Sequence, residues 1–519
     1  MTELAYTAFR FEPGDIRADW HNRDDVLVVA MHSWDTTHFR IREVDEETNT
    51  VHFDGRTVWE FERWGEEQRY YIEHCLEALD APGEWYLDRV SGALHYLPMP
   101  GETPDNTAVI APAAEHVLLL EGDAAEGRFV EHVHFQGISF RHADHTLGPD
   151  GLTNQQAAWS VHGAVHADAA RFVTLTDCEV TQSGTYGIWF HRDCESVRIE
   201  RCRVHHLGAG GVRVGTLGDD ATSWGWHNPG GGQAPRQHGE GPTRRVSIHN
   251  CKVYDGGLVY PAGVGVWVGR SSYNEVSNNH IHDFYYTGIS IGWSWGYAPS
   301  SAHNNVIEYN LVHDLGKGIL SDMGGIYLLG KAPGTIVRHN IFHSVDSYYY
   351  GGWGIYPDEG STHLLIENNI AYECKTGGFH QHYGRENTIR NNIFAFSPNA
   401  QLMRTREEEH DSFSFERNIV YFDNGNLLGS NWSNDQFVMN RNLYWDAAGN
   451  EFDFAGATLE EWQERGHDTE SVIADPKFAD PEARDFTLAP DSPAITELGF
   501  QPIDTSNIGT YGDPEWGRE

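Results

Sequence analysis

From about residue 130 onward the chain alternates apolar and polar positions in short runs, each broken by a glycine, an amide residue or an acid. The runs share a form: VRIERCRV (197–204), VSIHNCKV (246–253), VSNNHI (276–281), IEYNLV (307–312), VRHNIF (337–342), IENNIA (366–371), IRNNIF (389–394) and FERNIV (415–420). One column through them holds Cys178, Cys202, Cys251, Asn279, Asn310, Asn340, Asn369, Asn392, Asn418 and Asn442, mostly at intervals of 23 to 31 residues. A period of that length marks a solenoid. No 3.6-residue apolar stripe runs through it, so the repeats are strands rather than helices. Stacked coils bring equivalent positions to the interstrand spacing of roughly 4.8 Å, where a buried Asn column can satisfy its amides rung to rung. The Cys members of the column then read as small buried residues.

A second register places Gly before four strand residues at Gly187, Gly211, Gly265, Gly288, Gly325, Gly354 and Gly378. The first and third residues after each Gly are nearly all apolar and face the core, while the second and fourth face outward. The outward set is Trp189, Arg213 and Trp267 in early coils, then Tyr327, Tyr356, Asp358, His380 and His382. Together these patterns predict an all-β chain: a right-handed parallel β-helix over 108–450, a β-rich N-terminal region over 1–107 and a capping segment over 451–519. Within 1–107, Glu84–Asp88 and Ala93–Leu97 form an expected hairpin. The Gly-, Pro- and His-rich stretch 216–243 is an expected long loop and candidate wall of a groove. Thr458 and Glu461 make a capping box for a short helix, and the tail beyond it is expected to shield the last coil.

Acidic residues outnumber basic ones by 76 to 36, and only five of the basic residues are Lys. That field repels nucleic acid and anionic membranes, so neither is an expected partner. No apolar run is long enough for a membrane span, and the first residues lack an export signal, which as the chain begins implies a cytoplasmic location. Six Cys at irregular spacing suit neither a disulfide framework nor a zinc site.

The candidate chemistry lies on the outer face of the later coils. Asp322 precedes Gly325 by three residues, and Asp358 follows Gly354 by four, one coil on. Two carboxyl groups held across a sugar are what glycosidic-bond hydrolysis needs, one as acid and one as nucleophile or base. The alternative is that both cap turn amides, the role expected of Asp283 and Asp314. Glu359, on the alternate phase, ranks third as a catalytic candidate. His380 and His382 share a strand face and suit hydrogen bonds to sugar hydroxyls or to Asp358; with no third convergent ligand, no metal and no cofactor are expected. Trp293, Trp295 and Tyr297, and Tyr348 to Tyr350 with Trp353, are candidate stacking surfaces for sugar rings, with ordinary loop packing as the alternative. Tyr327 and Tyr356 complete the expected substrate contacts. Lys375, in the column of Asp322 two coils on, is the candidate base if the chemistry is that of a lyase.

With these residues assembled, the chain resembles the parallel β-helix proteins of glycoside hydrolase family 141. The resemblance rests on Ala78–Asp88 (ALDAPGEWYLD), Tyr286–Tyr297 (YTGISIGWSWGY), Ser321–Tyr327 (SDMGGIY), Gly351–Gly360 (GGWGIYPDEG) and Gly377–Gly384 (GGFHQHYG). It implies hydrolysis of plant or algal polysaccharide, α-L-fucosidase-like or xylanase-like, with two catalytic Asp residues at Asp322 and Asp358. Family members usually carry a further stretch ahead of the segment that opens this sequence. If the natural start lies upstream, an extracellular or periplasmic location is expected instead. Two rivals stay open: a polysaccharide lyase, because a fold does not fix a function, and a non-catalytic carbohydrate-binding β-helix.

Overall fold

The computed structural model describes residues 3–65, 67–217, 242–512 and 516, so most of the predicted loop at 216–243 lies outside the described residues. From Leu118 to Asp446 the chain winds as a parallel β-helix with three long sheets. One sheet takes the strands before the Asn column, the next those after it, and the third those of the glycine register. Successive coils pair in strict register, as in Ile289↔Ile326, Ile326↔Ile355, Ile355↔Phe379 and Phe379↔Leu402. These five side chains form one buried inward stack.

The Asn ladder is continuous and buried. Asn279 Nδ2 donates to Asn310 Oδ1 at 2.9 Å, Asn310 to Asn340 at 2.9 Å, Asn340 to Asn369 at 3.0 Å, Asn369 to Asn392 at 3.0 Å and Asn392 to Asn418 at 3.0 Å. Each amide also donates to a main-chain carbonyl one coil back, for example Asn340 Nδ2 to Ile307 O at 2.9 Å. The ladder ends on Asp468, which accepts from Asn442 Nδ2 at 2.9 Å and from the buried Trp462 indole at 2.9 Å. The residue just before each column member has positive φ, from Asp177 through Tyr309 and His339 to Arg441, which turns the chain sharply from one sheet into the next.

The recurring glycines are explained by close approach between coils. A Cβ on Gly325 would lie 2.8 Å from Gly354 O, and one on Gly354 would lie 2.8 Å from Gly378 O.

Ahead of the solenoid, Ala8–Arg10, Leu27–Met31, Thr36–Asp45, Thr50–Phe53 and Tyr70–Glu73 form an antiparallel sheet, joined by Leu152–Thr153 from the early coils. The hairpin is present as Trp85–Asp88 against Ala93–Tyr96. Thr458 and Glu461 form the capping box of helix Leu459–Glu464, whose Trp462 covers the last coil against Phe437 and Phe454. The tail beyond this helix first adds strand Val472–Ile473 to the last coil at Leu443–Asp446, as expected, and then leaves it. It runs back along the outside of the solenoid, where Phe486 packs on Tyr372 and main-chain groups of Gln501 and Tyr511 pair with the amides of Asn391 and Asn250. Asp283 and Asp314 also depart from expectation. Each accepts from the preceding His ring, at 2.8 and 2.9 Å, rather than capping a turn amide.

Candidate active site

Asp322 sits in the turn leading into strand Gly324–Leu328, and Asp358 directly follows strand Trp353–Pro357 on the next coil. They are not equivalent positions, as the register pairs Leu328 with Pro357 and so sets Asp358 level with Leu329. What brings Asp322 back over the sheet is its left-handed backbone, φ 57°. That turn is held from several sides. Asp322 N–H donates to Tyr350 O at 3.0 Å, and its carbonyl accepts from the Tyr286 hydroxyl at 2.9 Å. Ser321 N–H donates to Ser33 O of the N-terminal region at 2.7 Å. Gly351 is required beside it, because a Cβ there would lie 2.6 Å from Asp322 N.

One hydroxyl joins the pair: Tyr356 Oη lies 2.9 Å from Asp322 Oδ1 and 2.9 Å from Asp358 Oδ1. The two carboxyl groups therefore have oxygens no more than twice 2.9 Å, about 5.8 Å, apart. Asp358 is 5% exposed and accepts a further bond of 2.5 Å from the Tyr327 hydroxyl, while His382 Nδ1 stands 3.4 Å from its Oδ1. Burial raises the Asp322 pKa well above the ordinary carboxylate range, and the charge of Asp358 adds to the shift. Burial also pushes the phenols of Tyr327 and Tyr356 up, with the nearby carboxylates reinforcing it, so both remain donors. A phenol has a single proton and can donate to only one of its two carboxyl neighbours. The other contact is met when one of the two carboxyl groups is protonated, and the upward direction of the Asp322 shift favours Asp322 as that group.

Glu359 accepts from Tyr383 Oη at 3.1 Å, and burial, then the charge of Asp358, raise its pKa. It borders the pair without joining the Tyr356 bridge. His380 is buried and stacks on Tyr356 with ring centroids 4.8 Å apart, its other neighbour being Trp353 at 4.1 Å. Its Nε2 lies 2.5 Å from Thr405 Oγ1, and desolvation holds the ring neutral. His380 and His382 thus have separate partners.

Several sequence expectations about open aromatic surface are corrected. Trp293, Tyr327, Tyr356 and Trp353 are all buried, so they form the floor and wall of the site rather than exposed platforms. Trp293 donates to Ser290 Oγ at 3.0 Å and packs 6.2 Å from Tyr327. Trp295 is half-buried, whereas Tyr348 and Tyr349 are the exposed rings of the group. Tyr297 donates to Glu408 at 2.6 Å and meets Tyr383, which places the 293–297 segment on the Asp358–Glu359 side. Lys375 is also displaced from its expected role. Its ammonium donates to the carbonyls of Ser347 and Tyr348 and stands 3.6 Å from Asp346, tying down a loop.

The sequence reading missed Tyr286, Gln156 and the N-terminal region as parts of this site. Gln156 Nε2 donates to Tyr286 Oη at 2.9 Å, in the relay that holds the Asp322 carbonyl. Tyr286 opened one of the motifs already noted, but nothing in the spacing located Ser33.

A family model for the right-handed β-helix region matches residues 241–403. Among solved structures, one described as a glycoside hydrolase aligns with TM-score 0.58 at 20% identity, covering 79% of this chain and 70% of that one. A surface adhesin of Streptococcus pneumoniae aligns with TM-score 0.39 at 11% identity over 62% of this chain and 77% of its own. A PL6 family alginate lyase aligns with TM-score 0.38 at 12% identity over 76% of this chain and 57% of its own. A search of curated proteins returns no match. The family model and the alignment with the glycoside hydrolase establish the right-handed parallel β-helix. Its structural neighbours include carbohydrate-active enzymes alongside an adhesin.

Proposed function

We propose that the protein is a glycoside hydrolase acting on plant or algal polysaccharide or oligosaccharide, α-L-fucosidase-like or xylanase-like, with Asp322 as general acid and Asp358 as nucleophile. The observation that carries this reading is the single Tyr356 hydroxyl 2.9 Å from both carboxyl groups. It supports one protonated and one ionised member held side by side, the division of labour that glycosidic cleavage requires. Retaining enzymes hold their carboxyl groups about 5–5.5 Å apart and inverting ones about 6.5–9.5 Å. The limit set by the shared phenol favours retention. Asp358 then attacks the anomeric carbon while Asp322 protonates the leaving oxygen. Water completes the second step with Asp322 acting as base. Tyr327 and Tyr356 orient the nucleophile, His382 borders it, and Glu359 adds negative charge that helps Asp322 keep its proton.

The lyase alternative loses its best base, as Lys375 is engaged by loop carbonyls. The test is turnover of aryl glycosides and of plant and algal polysaccharides by wild type, Asp322→Asn and Asp358→Asn, with folding followed by circular dichroism. Both variants should fold and lose activity by roughly 10²-fold or more. Folded variants with near-normal hydrolysis would exclude the pair and turn attention to Glu359. Product absorbance from an unsaturated uronate would establish the lyase instead, and no cleavage under any condition would favour a carbohydrate-binding role.

A further inference from the structure

Far from the Asp pair, three side chains on two early coils converge in a way the proposed hydrolysis does not use. His166 and Asp168 project from the same side of strand Gly163–Asp168. The next coil pairs Ala167 with Phe190, which sets His191 level with Asp168. His166 Nε2 lies 3.3 Å from Asp168 Oδ2, and His191 Nδ1 lies 3.1 Å from Asp168 Oδ1. All three ligand atoms fall within 4.8 Å of one another.

We propose that His166, Asp168 and His191 bind a divalent transition metal ion of the zinc class. Metal–ligand distances near 2.0–2.1 Å around a tetrahedral centre require ligand atoms roughly 3.3 Å apart. The two His–Asp separations match this but run to different oxygens of Asp168, so a small turn of the carboxylate would let one oxygen serve with both imidazoles. Two imidazoles and one carboxylate are borderline donors that suit zinc better than magnesium or calcium. The main-chain N–H of Arg192 donates to Asp168 Oδ1 at 3.1 Å and fixes the carboxylate. Trp189 packs against both imidazoles, 5.1 Å from His166 and 4.2 Å from His191. The Asp168 side chain keeps 36% of its surface, which leaves access for an incoming ion and for a water or ligand in the remaining position.

A second observation points the same way. Behind the ligand atoms, the buried His166 Nδ1 and both ring nitrogens of the neighbouring His162 have no hydrogen-bond partner among the described residues, His162 Nε2 standing 3.8 Å from Glu115 Oε2. Shielded polar atoms normally have partners, so this corner holds more donor capacity than its hydrogen bonds consume. A row of rings continues it: His116 lies 5.3 Å from His166 and 4.6 Å from His162. The site would clamp two adjacent coils. Four strand spacings separate Tyr186–Phe190 from Gly324–Leu328, roughly 19 Å, so the metal would take no part at the Asp pair.

The test is calorimetric titration of ZnCl₂ into the full-length chain after chelator treatment, with MgCl₂ in parallel and CoCl₂ for visible absorption. One zinc site per chain is expected, with no comparable magnesium binding and cobalt bands characteristic of low coordination number. Asp168→Asn and His191→Gln should each weaken zinc at least about tenfold, abolish the cobalt bands and remove the rise in melting temperature that zinc gives the wild type. Metal-free circular dichroism checks that each variant is folded, and His166→Gln supplies a third reading should one fail. His313→Ala, in a separate row of stacked rings, should leave the site unchanged. Absence of stoichiometric zinc binding would overturn the proposal. So would undiminished affinity in the folded variants, which would assign the binding to other His residues.

Discussion

One phenol stands 2.9 Å from each of two carboxyl groups, and their surroundings favour one of them as the holder of a proton. At Tyr356 the neighbours differ in support, because the Asp358 carboxyl group accepts from Tyr327 as well while that of Asp322 meets the Tyr356 hydroxyl alone among the described residues, and desolvation and the charge of Asp358 raise the Asp322 pKa. Both influences favour neutral Asp322, and the sign for activity follows. A general acid works while protonated, so kcat/KM should hold through neutral pH and fall as pH rises through the raised pKa of Asp322. A pH–rate profile on an aryl glycoside reads this directly, and an alkaline limb in the ordinary carboxylate range would remove Asp322 from the acid role. Removing the charge of Asp358 should move the Asp322 pKa downward. Carboxyl carbon NMR titration of Asp358→Asn against wild type measures that shift, and an unchanged or higher value would contradict the electrostatic account.

The Asn ladder is the element that makes one coil specify the next. Each rung donates to the neighbouring amide and to a carbonyl, and its Oδ1 receives both the side-chain amide and the main-chain N–H of the rung before it. Truncating one rung strands several buried groups at once. Asn340→Ala should therefore destabilise the solenoid by about 3 kcal/mol or more, read as a lower denaturant midpoint. An exposed turn change such as Asn304→Ala should cost far less. Equal losses would mean that the ladder adds nothing beyond its backbone. The ladder was legible because interior amides at a fixed period have few other uses. The left-handed residue ahead of each rung was not, as His339, Tyr309 and Arg417 carry no shared side-chain signal.

At the scale of the whole molecule, the N-terminal region helps to hold the turn that carries Asp322. Arg69 donates to Ile319 O and places its guanidinium 3.3 Å from the centre of the Tyr348 ring, while Ser33 holds Ser321 N–H and contacts Tyr350 Oη at 3.2 Å. Arg69→Ala should leave the solenoid folded but loosen residues 319–322, lowering kcat by roughly tenfold or more because small misplacements of reacting groups are expensive. Steady-state kinetics alongside a melting curve distinguishes this from global destabilisation. Unchanged kcat would reduce the contact to packing. The returning tail covers another side of the solenoid, the outer side of the post-Asn sheet, with Phe478 against Tyr421 and Phe486 against Tyr372.

The sequence by itself determined the repeat, the inward apolar stack, the buried Asn column and the outward columns on which Tyr327, Tyr356, Asp358, His380 and His382 lie. These follow from period-two alternation and from the fixed distance between coils, both local rules. Tertiary structure alone decided the rest. Asp322 reaches Asp358 only because a left-handed turn, braced by Tyr286, Tyr350 and Ser33, bends it back across the sheet, and no register predicts such a bend. The outward rings of Tyr327 and Tyr356, and the flanking rings of Trp293 and Trp353, are buried because neighbouring rings and loops pack over them, so facing away from the solenoid core did not mean facing water. His166, Asp168 and His191 meet because residues 23 or more positions apart become neighbours when one coil is laid on the next.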